Sequence, residues 1–393
     1  MPSSPGHLRR SYLLTFVVCN NLSFAHTQKR STMLHEPERL IVAGFAAFLL
    51  TACTHLDREH VSLAAEELAT LPKDFNGVIL EAPSSTSAPV VTARGLANAA
   101  MKVKASRQTR YPIGSISKWL TSIMALRLVD AGALSLDLPI ARWLPDLPEM
   151  TKERVTLRHL LSNVSGIPNG VMDAYRQNPA MALRDVTAAE AARLYGSGRL
   201  TSEPGSTWDY SLTNWVLVRA ILEAASGKPF ELLVNDEIVV PLKLTGTGVP
   251  SGMSEDIPGA AIGYETLTPL PKPKRNPIPA YAAASGTFYS TVDDLRTIAA
   301  AIYNPGYLST TSLDELTKVV VPDEGYALGG RIIDLSEGSG VRILWEPGET
   351  GSFRALLAYE PRSGACVVIF NNTGVPPQDI GSAAKSALRR MIR

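Results

Sequence analysis

Apolar residues recur at Ile116, Leu120, Ile123, Met124 and Leu128, with Gly132 just beyond them. That spacing predicts a helix starting near Ser115 and ending at the glycine. The same periodicity predicts helices over 157–161, 187–195, 211–226 (closed by Gly227), 291–303 and 379–391. Short apolar runs predict strands at Gly77–Leu80 and Val90–Ala93, and again at Arg342–Trp345, Phe353–Tyr359 and Cys366–Asn371. Strands thus stand at both ends of the globular part, with helices between them. The pattern implies an α/β (α+β) fold: a mostly antiparallel sheet built from N- and C-terminal strands, flanked by helices, with an inserted mainly helical subdomain. Residues 269–281 carry five prolines and are expected to be an irregular, solvated surface loop.

Composition narrows the function classes. The 393 residues are 45% hydrophobic and 19% charged, enough for a large core and unlike a disordered chain. A net charge of +1 without long basic runs argues against nucleic acid as a partner. Three cysteines (Cys19, Cys53 and Cys366) make no disulfide framework, and six scattered histidines form no metal-ligand spacing. No metal and no cofactor is expected.

Leu40–Ala52 is an apolar run of signal-peptide length, too short for a comfortable membrane span. It ends in Leu50-Thr51-Ala52-Cys53, which resembles a bacterial lipobox with Cys53 as the lipidated residue. Met33 is a natural start for that signal, and Arg9-Arg10 followed by Ser11–Val18 is a rival leader. The expected organisation is a signal or extension over 1–52, a linker over 53–72 and one domain over 73–393. The expected location is the cell envelope or periplasm, with membrane attachment through the lipid alone.

The candidate chemistry sits at Gly114-Ser115-Ile116-Ser117-Lys118. Residues three apart share a helix face, so the Lys118 amine can reach the Ser115 hydroxyl beside the positive end of the helix dipole. Serine is a poor nucleophile without an adjacent base, and this spacing supplies one. Spacing alone is weak, because Ser382-Ala-Ala-Lys385 repeats it in a helix whose polar face is simply solvated.

Further segments in order resemble the serine hydrolases related to class C β-lactamases, DD-peptidases and family VIII-type esterases, over roughly residues 73–375. These are Ile113–Lys118, Leu134-Ser135-Leu136-Asp137 with Trp143–Asp146, Leu157–Pro168, Glu203-Pro204-Gly205 with Tyr210-Ser211, and Ala284–Thr291 with Asp293-Asp294-Leu295. The resemblance implies Ser115 as the acyl-forming nucleophile, Lys118 as its proton acceptor and Tyr210 as the second member of the base. It also implies an oxyanion hole from the backbone amides of Ser115 and Ser352. Two positions depart from the pattern among the substrate-binding residues. Leu212 replaces the asparagine of the Tyr-Ser-Asn motif, and Glu349-Thr350-Gly351 aligns where Lys-Thr-Gly or His-Thr-Gly is usual, so a cation is lost. Asn163 also stands where a histidine is usual.

A carboxylate-bearing substrate is therefore disfavoured, and a neutral ester or amide fits better. The expected function is an exported serine hydrolase acting through a Ser115 acyl-enzyme. One alternative is a β-lactamase or D-alanyl-D-alanine carboxypeptidase, with Arg342 or Arg354 replacing the missing cation. The other is a weakened scaffold that binds peptidoglycan or a partner.

Overall fold

The computed structural model describes residues 68–180, 184–250, 257–275 and 277–392. Cys53 and the leader segments lie outside them. Gly77–Ala82 (β1), Val90–Arg94 (β2), Ile332–Asp334 (β3), Arg342–Thr350 (β4), Phe353–Glu360 (β5) and Ala365–Asn371 (β6) form one sheet of order β2-β1-β6-β5-β4-β3. Every pairing in it is antiparallel. The expected α/β (α+β) architecture is therefore present, and the first and last strands of the domain meet at its centre.

All residues of β1 and β6 are buried. Strands alternate their side chains between two faces. Val78, Leu80, Cys366, Val368 and Phe370 pack on one face, against a core that includes Trp119, Leu120 and Ile123. Ile79, Val367 and Ile369 pack on the other, under Ile380, Ala384 and Leu388 of the C-terminal helix. Covering both faces removes the polar half of the alternation, which is why these strands read as continuous apolar runs. Burial pushes the Cys366 thiol up to about 12, so it behaves as a small core hydrophobe.

The helices that position the site are Ile116–Asp130 (α1), Leu157–Leu161 (α2), Gly170–Gln177 (α3), Ala188–Gly196 (α4), Leu212–Ser226 (α5), Val292–Ala301 (α6) and Pro377–Met391 (α7). All but α3 were expected, within one or two residues. Every residue of α1 from Ile116 to Leu126 is buried, so it is a central helix and not a surface one.

Two expectations are corrected. Within 269–281, Lys272–Pro273 pairs with Tyr264–Thr266 as a short antiparallel ladder. Strand β4 also runs five residues past the expected Trp345, through Glu346-Pro347-Gly348-Glu349-Thr350. Proline and glycine hide this in the sequence, but β3 covers β4 only at Arg342–Leu344, and a bare edge tolerates a proline.

Candidate active site

The site begins where that bare edge meets the turn into α1. Gly114 has φ +53°, and a Cβ there would lie 2.7 Å from both the amide nitrogen and the carbonyl oxygen of Glu349. A Cβ on Gly348 would lie 2.0 Å from the Ile113 oxygen. Only paired glycines allow the turn and the strand to touch this closely. Ser117 Oγ donates to the Gly114 carbonyl at 2.6 Å and accepts from the Phe288 amide at 3.1 Å, locking the turn to the segment after Ser285.

Ser115 follows as the N-cap of α1 and is not used for capping. Lys118 Nζ donates to Ser115 Oγ at 3.2 Å and to the Ser285 carbonyl at 2.7 Å. Its ammonium is 4.8 Å from the Tyr210 ring centroid and 5.8 Å from that of Trp215. Lys118 is 1% exposed, and among the described residues no carboxylate pairs with it. A buried cation held by one carbonyl and two ring faces favours negative charge on whatever acid lies beside it.

That acid is Tyr210, whose hydroxyl is 2.8 Å from Ser115 Oγ. Burial opposes ionisation of the phenol, but the Lys118 charge, hydrogen bonds to Ser115 and Lys118, and the Arg331 charge together hold it below the usual tyrosine range. Ser115, Lys118 and Tyr210 thus meet at one oxygen. Ser382 and Lys385 lie on the far face of the sheet instead, where Lys385 covers the Trp345 ring at 5.3 Å.

A cavity of 310 Å³ opens beside Ser115. Leu212, Glu349, Thr350 and Gly351, the candidate substrate-binding residues, all line it. Much of its apolar wall was missed: Val171, Met172 and Tyr175 of α3, and Pro277, Ile278, Pro279 and Tyr281. The proline-rich stretch is therefore not merely solvated, because its second half lays an extended apolar wall against the site. Glu349 is half-exposed at the rim, with its carboxylate 3.5 Å from Arg354 Nε.

The resemblance assigns the second oxyanion donor to the amide of Ser352. That residue shares the two-residue turn between β4 and β5 with Gly351, and it does not line the cavity. The amide aimed at the bare edge belongs to Glu349. Trp345 N–H donates to the Arg331 carbonyl at 2.9 Å, away from β5, so alternate residues Pro347 and Glu349 face the same way. Neither Arg342 nor Arg354 lines the cavity.

Asn163 ties the wall behind Tyr210 together. Its Nδ2 donates to the Tyr326 hydroxyl at 2.9 Å, its carbonyl accepts from the Asp209 amide at 2.9 Å, and its Oδ1 accepts from Asn214 Nδ2 at 3.2 Å. Asn214 therefore serves this scaffold and does not stand in for the missing asparagine at Leu212. Trp208, Tyr210 and Tyr326 pack ring against ring at 5.9–6.4 Å.

The β-lactamase family profile matches residues 82–389, which take in strands β2 to β6, the Ser115 turn and the bare edge of β4. The chain belongs to the β-lactamase family. Among its relatives, esterase EstB of Burkholderia gladioli is 30% identical over 256 residues, covering 56% of this chain and 64% of that protein. Penicillin-binding protein 4* of Bacillus subtilis (strain 168) is 26% identical over 274 residues, covering 65% of this chain and 58% of that protein. The chain thus matches somewhat under two thirds of each relative's length. The fold is shared with D-amino acid amidase from Ochrobactrum anthropi SV3, at TM-score 0.70 and 20% identity over 86% of this chain and 98% of the other. Within the family's framework, several quoted motifs are structural here: Arg158 of α2 pairs with Asp137 through hydrogen bonds of 2.6 and 2.9 Å and also contacts Glu315.

Proposed function

We propose that this protein is an exported serine hydrolase that cleaves a neutral ester or amide through a Ser115 acyl-enzyme. The observation that carries this reading is the convergence of Lys118 Nζ, at 3.2 Å, and the Tyr210 hydroxyl, at 2.8 Å, on Ser115 Oγ beside an apolar cavity. Ser115 Oγ attacks the carbonyl carbon while its proton passes to the Tyr210–Lys118 pair. The displaced electron pair settles on the carbonyl oxygen, which accepts hydrogen bonds from the Ser115 and Glu349 amides. Collapse breaks the C–O or C–N bond, and the pair protonates the departing alcohol or amine. A water deprotonated by the same pair then attacks the acyl-serine and releases the acid.

The neutral substrate is supported by the rim and the wall. Leu212 offers no amide to a substrate, and Glu349 disfavours a carboxylate there. Similarity to a protein named as an esterase points the same way. Export and lipid anchoring at Cys53 belong to this reading and rest on Leu40–Ala52 and Leu50-Thr51-Ala52-Cys53.

Intact-mass measurement after a fluorophosphonate, and separately after a penicillin, tests the proposal. A fluorophosphonate adduct lost in Ser115→Ala, with little penicillin adduct or turnover, supports it. Rapid penicillin turnover would favour the β-lactamase or carboxypeptidase alternative. A folded wild-type protein that reacts with neither would leave the binding scaffold.

A further inference from the structure

The lost cation of the third motif poses a question of charge. Strand β4 presents Glu346, Pro347, Gly348, Glu349 and Thr350 to this region and no positive group. Arg354 turns away, donating to the carbonyls of Gly351 and Phe353 at 3.1 and 2.9 Å and pairing with Glu349. Arg342 is at the far end of β4, opposite Asp334.

The cation nearest the back of Tyr210 comes from the adjacent segment. Arg331 immediately precedes β3, and its guanidinium carbon is 5.1 Å from the centroid of the Tyr326 ring. Tyr326 is 1% exposed and meets Tyr210 edge to face, with centroids 6.4 Å apart and planes at 89°. Trp208 closes the third side of this aromatic block. The buried Tyr326 ring thus touches both Arg331 and Tyr210, and a charge acting through such a low-dielectric neighbour is less screened than one acting through water.

Resting on the acyl-enzyme reading above, we propose that Arg331 is a positioning residue that supplies, from beside β4, the second positive charge behind Tyr210 that β4 itself lacks. Lys118 provides the first, 4.8 Å from the Tyr210 ring centroid. Among the described residues, the carboxylate paired with the Arg331 guanidinium is that of Glu324. Burial drives the Glu346 carboxyl well above the usual carboxylate range, and its Oε1 accepts the Arg331 amide at 3.0 Å. Burial likewise drives the Tyr326 phenol up, so it does not compete with Tyr210 for ionisation. Glu324 is 3.7 Å from Arg331 Nη2 and sits on the wet side, 40% exposed. Asp209, next to Tyr210 in sequence, is exposed.

The test is the pH profile of kcat/KM on a neutral p-nitrophenyl ester, together with the pH dependence of fluorophosphonate labelling. Removing a cation favours the protonated phenol, so the acid limb should move to higher pH. Arg331→Gln and Arg331→Met, the second retaining an apolar stem over the Tyr326 ring, should each shift it by about half to one unit and recover near wild-type rates above it. Arg331→Lys should restore the wild-type limb. Glu324→Gln breaks the same ion pair but keeps the cation, so its limb should stay or move slightly lower. An unshifted limb in whichever neutral variant folds, or an equal alkaline shift in Glu324→Gln, overturns the proposal. Hydrolysis that survives Ser115→Ala would instead sink the acyl-enzyme reading, which separates the two failures.

Discussion

Glu349 and Arg354 stand directly opposite each other on β4 and β5, with a carboxylate oxygen 3.5 Å from Nε. The carboxylate is at the cavity rim, while the guanidinium's other bonds hold the β4–β5 turn. A substrate carboxylate arriving there meets like charge with its partner cation already engaged. Glu349→Lys reverses this and should raise the rate of acylation by penicillin, on the order of tenfold, with less effect on a neutral ester. The measurement is the second-order acylation rate for both reagents. Equal changes for the two would show that the rim does not read substrate charge.

Tyr210→Phe removes one hydroxyl from a packed aromatic block and leaves the ring contacts in place. It should lower kcat by about 10²–10³ with a small change in KM, because proton transfer contributes in the transition state and little to ground-state binding. Steady-state kinetics with a thermal melt checks this. A rise in KM at unchanged kcat would make Tyr210 a substrate-binding group instead.

Glu346 offers a prediction about stability and pH. Burial raises its carboxyl well above the ordinary value, with Arg331 as the facing charge. A group whose folded value is raised gives stability that is present below the unfolded value and is lost as pH rises towards the folded one. The loss therefore begins above about pH 4.5, where the unfolded chain releases the proton and the folded one keeps it. Glu346→Gln keeps the shape and the oxygen that accepts the Arg331 amide. It should flatten the fall in Tm from pH 5 to pH 8 and raise Tm at neutral pH by about 2 °C or more. Parallel curves for the two proteins would mean that Glu346 is ionised.

The sheet is legible in the order of strands, helices and strands along the chain, because β1 and β6 carry uninterrupted apolar runs and α1 is bounded by Ser115 and Gly132. Motif order likewise discloses the Ser115–Lys118–Tyr210 grouping. What stays hidden depends on pairing between distant segments. Pro347 and Gly348 erase the local strand signal of β4, yet they sit where the sheet edge is bare and must touch the Ser115 turn. Without the register an amide's direction is unknown, and so motif order points to Ser352 where the fold presents Glu349. Arg331 and Tyr326 carry no motif, and only packing brings them behind Tyr210.

The Glu349 amide is open to a direct test because of its direction. It points to the uncovered edge of β4, as does the nitrogen of Pro347 two residues earlier, so no ladder bond depends on either. The natural proline shows that this edge accepts the ring. Glu349→Pro therefore deletes one donor without breaking a ladder bond, and Glu349→Ala deletes the carboxylate while sparing the donor. If that amide stabilises the oxyanion, Glu349→Pro should lose about 10²–10³ in kcat on a neutral ester, and Glu349→Ala should stay within a few-fold of wild type. Thermal melts and circular dichroism establish that both variants are folded, since the new ring approaches the Gly114 turn. Comparable losses in the two would assign the effect to the carboxylate. Near wild-type turnover in a folded Glu349→Pro would return the second donor to some other amide.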